Sequence, residues 1–202
     1  MPVYIINIPT CEASNPLSSL PGPATVALSP FAADPASAVL QIDVRVVRPA
    51  PARLLLEYEL VGDPTRLRIP PPGAAGERIE PTDGLWRHTC MEVFVGAATA
   101  GSYLEFNLGP DGRWAAYRFS GYRAGMAPLT GIRPPRIELR TQTDRLLLSA
   151  AVELPEELAA AALRLGLAVV VEDDQGRLDY WALRHRAPRP DFHHPESFGF
   201  EI

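Results

Sequence analysis

Residues 83–96 read DGLWRHTCMEVFVG, residues 102–108 SYLEFNL, residues 109–112 GPDG and residues 113–126 RWAAYRFSGYRAGM. In the first run, strict alternation puts Trp86, His88, Cys90, Glu92 and Phe94 on one side and Thr89, Met91, Val93 and Val95 on the other. The second run sends Leu104, Phe106 and Leu108 one way and Tyr103, Glu105 and Asn107 the other. Period-2 patterns broken by Gly- and Pro-containing turns predict three consecutive antiparallel strands. Matching the apolar faces then gathers Glu92, Glu105 and Asn107 on one polar face.

The turn chemistry suggests a register. If residues 109–112 form the turn, Leu108 pairs near Arg113, Asn107 faces Trp114, Glu105 faces Ala116 and Tyr103 faces Arg118. In the first hairpin, pairing Phe94 with Tyr103 sets Glu92 directly across from Glu105. Facing carboxylates repel, so relief must come from Arg118, a shared proton, a metal ion or a ligand's hydroxyls. A slip of two residues preserves the face, whereas a slip of one turns the carboxylates into the core.

Working outward, residues 37–47 (SAVLQIDVRVV) and 53–62 (RLLLEYELVG) alternate as strands, and an earlier strand is predicted near Ala24 to Leu28. The Pro- and Gly-rich stretch starting at Pro70 reads as a loop that forms a rim over the polar face. Downstream, residues 136–142 and 145–154 predict a hairpin. Residues 155–164 (PEELAAAALR) carry a short-helix signature: Pro first, then acids, then Ala. Residues 163–174 and 177–183 predict a late hairpin, and the alternation of Phe198, Phe200 and Ile202 predicts a closing strand.

Many short strands with one brief helix predict an antiparallel, immunoglobulin-like β-sandwich formed by residues 1–202 as a single domain. The chain has 202 residues, a net charge of -5 and a basic complement made only of Arg. Without a concentrated basic face, nucleic-acid binding is not expected. The first residues lack a secretory pattern, and no long apolar run predicts a membrane span, so a cytoplasmic location is expected. Cys11 and Cys90 form neither a disulfide framework nor a spaced metal motif. His193 and His194 are expected to cap the closing strand rather than bind metal, because adjacent residues point apart.

The stretches DGLWRHTCMEVFVG and YLEFNLGPDGRWAAYRFSGYR, with the distal VVVEDDQGRLDYWAL and PDFHHPESFGFEI, resemble a DOMON-like domain related to the carbohydrate-binding module family 9 β-sandwich. The resemblance covers about two thirds of the chain. It implies a sugar held against aromatic rings, with Trp86 and Trp181 at the matching aromatic positions. Glu92, Glu105, Asn107 and Arg118 would then supply polar contacts. Haem-binding members need axial ligands; here Met91 lies on the core side and His88 has no evident partner.

These readings converge on a noncatalytic domain that binds a small polar ligand such as a sugar, with no catalytic residue and no cofactor assigned. Haem binding, carboxylate-dependent glycoside hydrolysis and a structural or protein-interaction role are the alternatives. The two carboxylates motivate the hydrolase. There is no nucleophile elbow, phosphate-binding glycine loop or helical metal motif.

Overall fold

The computed structural model describes residues 22–71 and 80–202. Twelve strands follow in chain order: β1 (Ala24–Pro30), β2 (Val39–Ala50), β3 (Arg53–Gly62), β4 (Cys90–Ala97), β5 (Tyr103–Leu108), β6 (Trp114–Phe119), β7 (Ala127–Pro128), β8 (Arg136–Thr141), β9 (Arg145–Glu153), β10 (Leu163–Glu172), β11 (Leu178–Ala182) and β12 (Phe200–Glu201). Every pairing between them is antiparallel. The order is β7-β6-β5-β4-β10-β11-β1-β2-β3-β9-β8, with β12 added to β10. Two separate sheets were expected; one continuous sheet is found, curled so that its halves share a core. Strand β1 joins them, pairing with β2 through Ala24 to Leu28 and with β11 through Ser29 and Pro30.

The shared core takes the inward residues of both halves. Ile42, Val44, Leu54, Leu56, Leu60, Leu146 and Leu148 come from one half, and Met91, Val93, Val95, Leu104, Phe106 and Leu108 from the other. All six residues that alternation assigned to the interior in β4 and β5 are buried there. Burying such side chains is the main favourable term in folding, at roughly 1.5–3 kcal/mol each. The Tyr58 hydroxyl adds a polar tie between the halves, donating to the Glu92 carbonyl oxygen at 2.9 Å.

Two registers differ from expectation. In β4–β5, Glu92 pairs with Asn107 and Phe94 with Glu105, a two-residue slip that keeps the face but makes the two carboxyls diagonal neighbours. In β5–β6, Leu108 pairs with Trp114, Asn107 with Ala115 and Glu105 with Tyr117. Here the turn contains one residue more than expected. The Gly112 amide donates to the Gly109 carbonyl, Gly112 takes φ 88°, and the Gly109 amide then donates to the Arg113 carbonyl. A turn followed by a left-handed glycine inserts this residue as a bulge. The parity of β6 flips, so Trp114 joins the shared core and Arg118 pairs with Leu104 on the core side, not with the polar face.

The expected helix is a single 3-10 turn, Glu156–Leu158. Arg48 explains where it stops: its guanidinium donates to the carbonyls of Leu158, Ala159 and Ala161 at 3.0, 2.9 and 2.9 Å. Carbonyls that would receive the next helical amides are thereby satisfied by a side chain from β2. Most of the proposed rim after Pro70, and the whole amino-terminal segment with Cys11, lie outside the described residues.

Candidate functional site

On the side of β6-β5-β4-β10-β11 away from the shared core, a second apolar cluster forms. The sheet contributes Cys90, Phe94, Tyr103, Ala115, Tyr117, Phe119, Ala168 and Val170, while Leu85, Phe192 and Phe198 pack onto it from outside the strands. Gly166 makes room for this layer: it pairs with Phe94, and a β-carbon there would sit 3.3 Å from the Phe94 β-carbon. Tyr103 and Phe119 stack with ring centroids 4.8 Å apart.

Within this layer lies an open cavity of about 310 Å³. Glu92 and Glu105 line it, and both are buried, at 3% and 4% exposure. Its walls are largely aromatic and apolar: Trp86, Phe119, Met126, Val170, Tyr180, Pro190 and Phe192; Arg123 and His193 complete the lining. Trp86 sits edge-on to Tyr117 at 5.9 Å, and the Tyr117 hydroxyl donates to Asp83.

The carboxyls differ in their support. Asn107 donates its side-chain amide to Glu105 Oε1 at 2.6 Å and accepts weakly from the Cys90 thiol at 3.6 Å. Glu92 Oε1 is buried and has no hydrogen-bond partner among the described residues. Burial, then repulsion from Glu105, pushes the Glu92 carboxyl well above its ordinary range, although Arg123 opposes this. Burial also raises Glu105, against the pull of Asn107 and Arg123. The pair therefore favours holding a proton.

Loops from two parts of the chain carry the remaining polar groups. Arg123, the only non-glycine described residue with positive φ (51°), donates from Nε and a terminal nitrogen to Asp191 Oδ1 at 3.1 and 2.8 Å. The Tyr122 hydroxyl bonds the other Asp191 oxygen. His193 Nδ1 lies 2.8 Å from the Tyr103 hydroxyl and Nε2 lies 3.7 Å from Glu105 Oε2. Burial, reinforced by Arg123, lowers the His193 pKa to about 4, so its approach to Glu105 near neutrality is not an ion pair. Burial raises the Tyr103 pKa to about 12, keeping its hydroxyl protonated.

Among the six expected contact residues, Trp86, Glu92 and Glu105 line the cavity, and Asn107 supports Glu105. Trp181 does not join them. It pairs with Val169 and is buried in the shared core, on the opposite face from Tyr180, so Trp86 and Trp181 do not converge. Arg118 is also absent: it donates to Glu157 at 2.9 Å beside a different hollow of about 430 Å³. The charge facing the carboxyls is Arg123 instead, supplied by the Gly121-to-Gly125 loop. Sequence reasoning also missed His193, Tyr180 and Phe192. The adjacent-histidine rule contained a usable signal, since His194 accepts from the Glu196 amide while His193 turns toward the site.

For the haem alternative, Met91 is buried in the shared core and His88 Nδ1 lies 2.7 Å from Glu172. Neither is positioned in the cavity. No group of three or more His, Cys, Asp or Glu residues suited to a metal ion occurs among the described residues. No described helix is long and apolar enough to cross a membrane.

No family model and no curated protein matches the chain. Among solved structures, it is similar to a candidate carbohydrate-binding protein from Bacteroides uniformis, with TM-score 0.54 and 14% identity over 79% of this chain and 76% of that one. A carbohydrate-binding module family 9 domain from Caldicellulosiruptor kristjanssonii, in complex with cellotriose, gives TM-score 0.48 and 12% identity over 89% and 80% of the two chains. A module of that family from the same organism, in complex with glucose, gives TM-score 0.42 and 10% identity over 89% and 81%. At this identity, the first likeness establishes a shared all-β fold.

Proposed function

We propose that residues 1–202 act as one DOMON-like, sandwich-type binding domain whose cavity takes a mono- or oligosaccharide, or a similarly polar small molecule, without changing it chemically. The observation that carries this reading is Glu92 Oε1, a buried polar atom without a partner among the described residues, in a carboxyl that lines an open cavity. Burying an unsatisfied polar group costs about 1–3 kcal/mol, and a ligand hydroxyl that met it after a small rotation of the carboxyl toward the cavity would remove that cost. Aromatic walls with a few polar groups form the usual lining of a small-molecule site. The fold shared with a candidate carbohydrate-binding protein agrees with a sugar as ligand.

Hydrolysis is the second reading because both carboxyls face one cavity. It is less well supported: glycosidases hold their two carboxyls in different protonation states, whereas burial is the leading influence on both here and raises both. A calorimetric screen of neutral and charged sugars, paired with product analysis, separates the readings. Binding without turnover is expected, with Trp86→Ala weakening it about tenfold through loss of ring contact. Turnover abolished by Glu105→Gln would instead establish the hydrolase, and full affinity in folded Trp86→Ala would remove Trp86 from the site.

A further inference from the structure

We propose that the ligand carries a protonated amine that sits against Glu92 and Glu105, making the preferred sugar an amino sugar rather than a neutral one. This rests on the binding reading above and specifies the class of ligand. On the sheet itself, the two carboxyls have only uncharged polar neighbours. Along the strands they neighbour the Cys90 thiol and the Asn107 amide, and from β6 the Tyr117 phenol; none supplies a cation. From the opposite half, the Tyr58 hydroxyl is directed to the Glu92 backbone carbonyl, not to the side chain.

The covering loops bring one cation, Arg123, but it already has an anion. Although burial opposes ionisation of Asp191, its bonds from Tyr122 and Arg123 hold it below its ordinary range, so Arg123 and Asp191 balance. His193 is too buried to carry charge near neutrality. Two carboxyls thus face the cavity with no free cation among the described residues lining it.

A neutral hydroxyl can donate to Glu92 Oε1, yet it leaves the repulsion between the carboxyls to be relieved by a proton. An ammonium group does both: it donates hydrogen bonds and supplies the missing positive charge. Aromatic side chains also line the cavity, and a ring face turned to the ammonium would add to its attraction. On entry, the ammonium takes the place of a proton held by the raised carboxyl pair, and that proton passes to the buffer. The cavity of about 310 Å³ suits a single sugar ring.

The test uses the full chain near pH 7 with glucosamine, glucose and N-acetylglucosamine, titrated calorimetrically in phosphate and in HEPES. Glucosamine is expected to bind about tenfold or more tightly than either neutral sugar, a ratio suited to a charge-assisted contact. Its heat should differ between buffers in the direction of proton release. In Glu92→Gln, and independently in Glu105→Gln, glucosamine affinity should fall to the range of the neutral sugars and proton release should disappear. Glucose binding as tightly as glucosamine, or glucosamine binding without proton release, overturns the amine while leaving the cavity as a binding site. Failure of all three sugars to bind the folded chain overturns both readings.

Discussion

The two halves of the curled sheet present outer faces built from the same kind of alternating strand, yet they have opposite fates. On β2, β3, β8 and β9, the outward residues include Arg45, Glu57, Arg136, Glu138 and Arg140, all exposed around a hollow of about 320 Å³. Arg45 pairs across the strands with Glu57, and Glu57 with Ser149, so opposite charge and hydroxyl stand side by side in water. On β4 and β5, the outward residues Glu92, Glu105 and Asn107 are buried beneath loops that arrive from distant parts of the chain. The same pattern of polar alternation yields a solvated surface in one case and, in the other, buried carboxyls lining a largely apolar cavity. Alternation decides which residues share a face; covering segments decide what that face must do chemically.

The largest difference between these faces should appear in Asn107→Ala. Asn107 is fully buried and its amide supports Glu105, so its removal should cost about 1–3 kcal/mol in urea unfolding, the scale of a buried group left without a donor. A loss below a few tenths of a kcal/mol would place the covered face on the same footing as the open one.

A pH series sharpens the contrast further. The raised carboxyl pair binds more protons in the folded than in the unfolded chain, so its contribution to stability falls as pH climbs above the ordinary Glu value of 4.5. His193 works in the other direction: lowered to about 4 from 6.5, it contributes stability that is present above 6.5 and lost on acidification toward 4. Glu92→Gln should therefore be more stable than the parent at pH 8, with the advantage vanishing at pH 4. Thermal unfolding across that range checks the sign, and a constant offset at all pH values would show that Glu92 does not titrate as described.

The smallest effects belong to exposed charges. Glu57→Ala on the open face should change stability by no more than about 0.5 kcal/mol. Arg118→Ala, whose pair with Glu157 is more than half exposed on both sides, should cost at most about 1 kcal/mol and leave carboxyl titration by NMR unchanged. A shifted Glu92 or Glu105 titration in that variant would reinstate Arg118 as a neighbour of the site.

These outcomes follow the limits of what the sequence reveals. Alternation in β4 and β5 was sufficient to place Met91, Val93, Val95, Leu104, Phe106 and Leu108 inside and Glu92, Glu105 and Asn107 together. It could not fix the first hairpin to better than two residues, since both registers keep the same faces. The β5–β6 error had a visible cause, because Pro110-Asp111-Gly112 is suited to a turn that ends in a left-handed glycine, and the inserted residue exchanges Trp114 and Arg118 for Ala115 and Tyr117. Trp181 was misplaced because a tryptophan in a hairpin can face either way; its partner Val169 belongs to the shared core. Arg123 and His193 lay beyond strand arithmetic altogether. They reach the cavity from loops, whose paths depend on tertiary packing rather than on period.

Strand β4 lies between β5 and β10 with side chains packed on both faces, and Tyr58 from the other half holds it at Glu92. The floor of the cavity is consequently fixed by the fold: insertions or backbone shifts there would disrupt both apolar layers at once. Trp86 and the segment carrying Pro190, Phe192 and His193 lie outside the regular strands and bear no such double duty. A substitution at exposed positions of that perimeter would therefore alter the cavity's rim while leaving the strands beneath it in place.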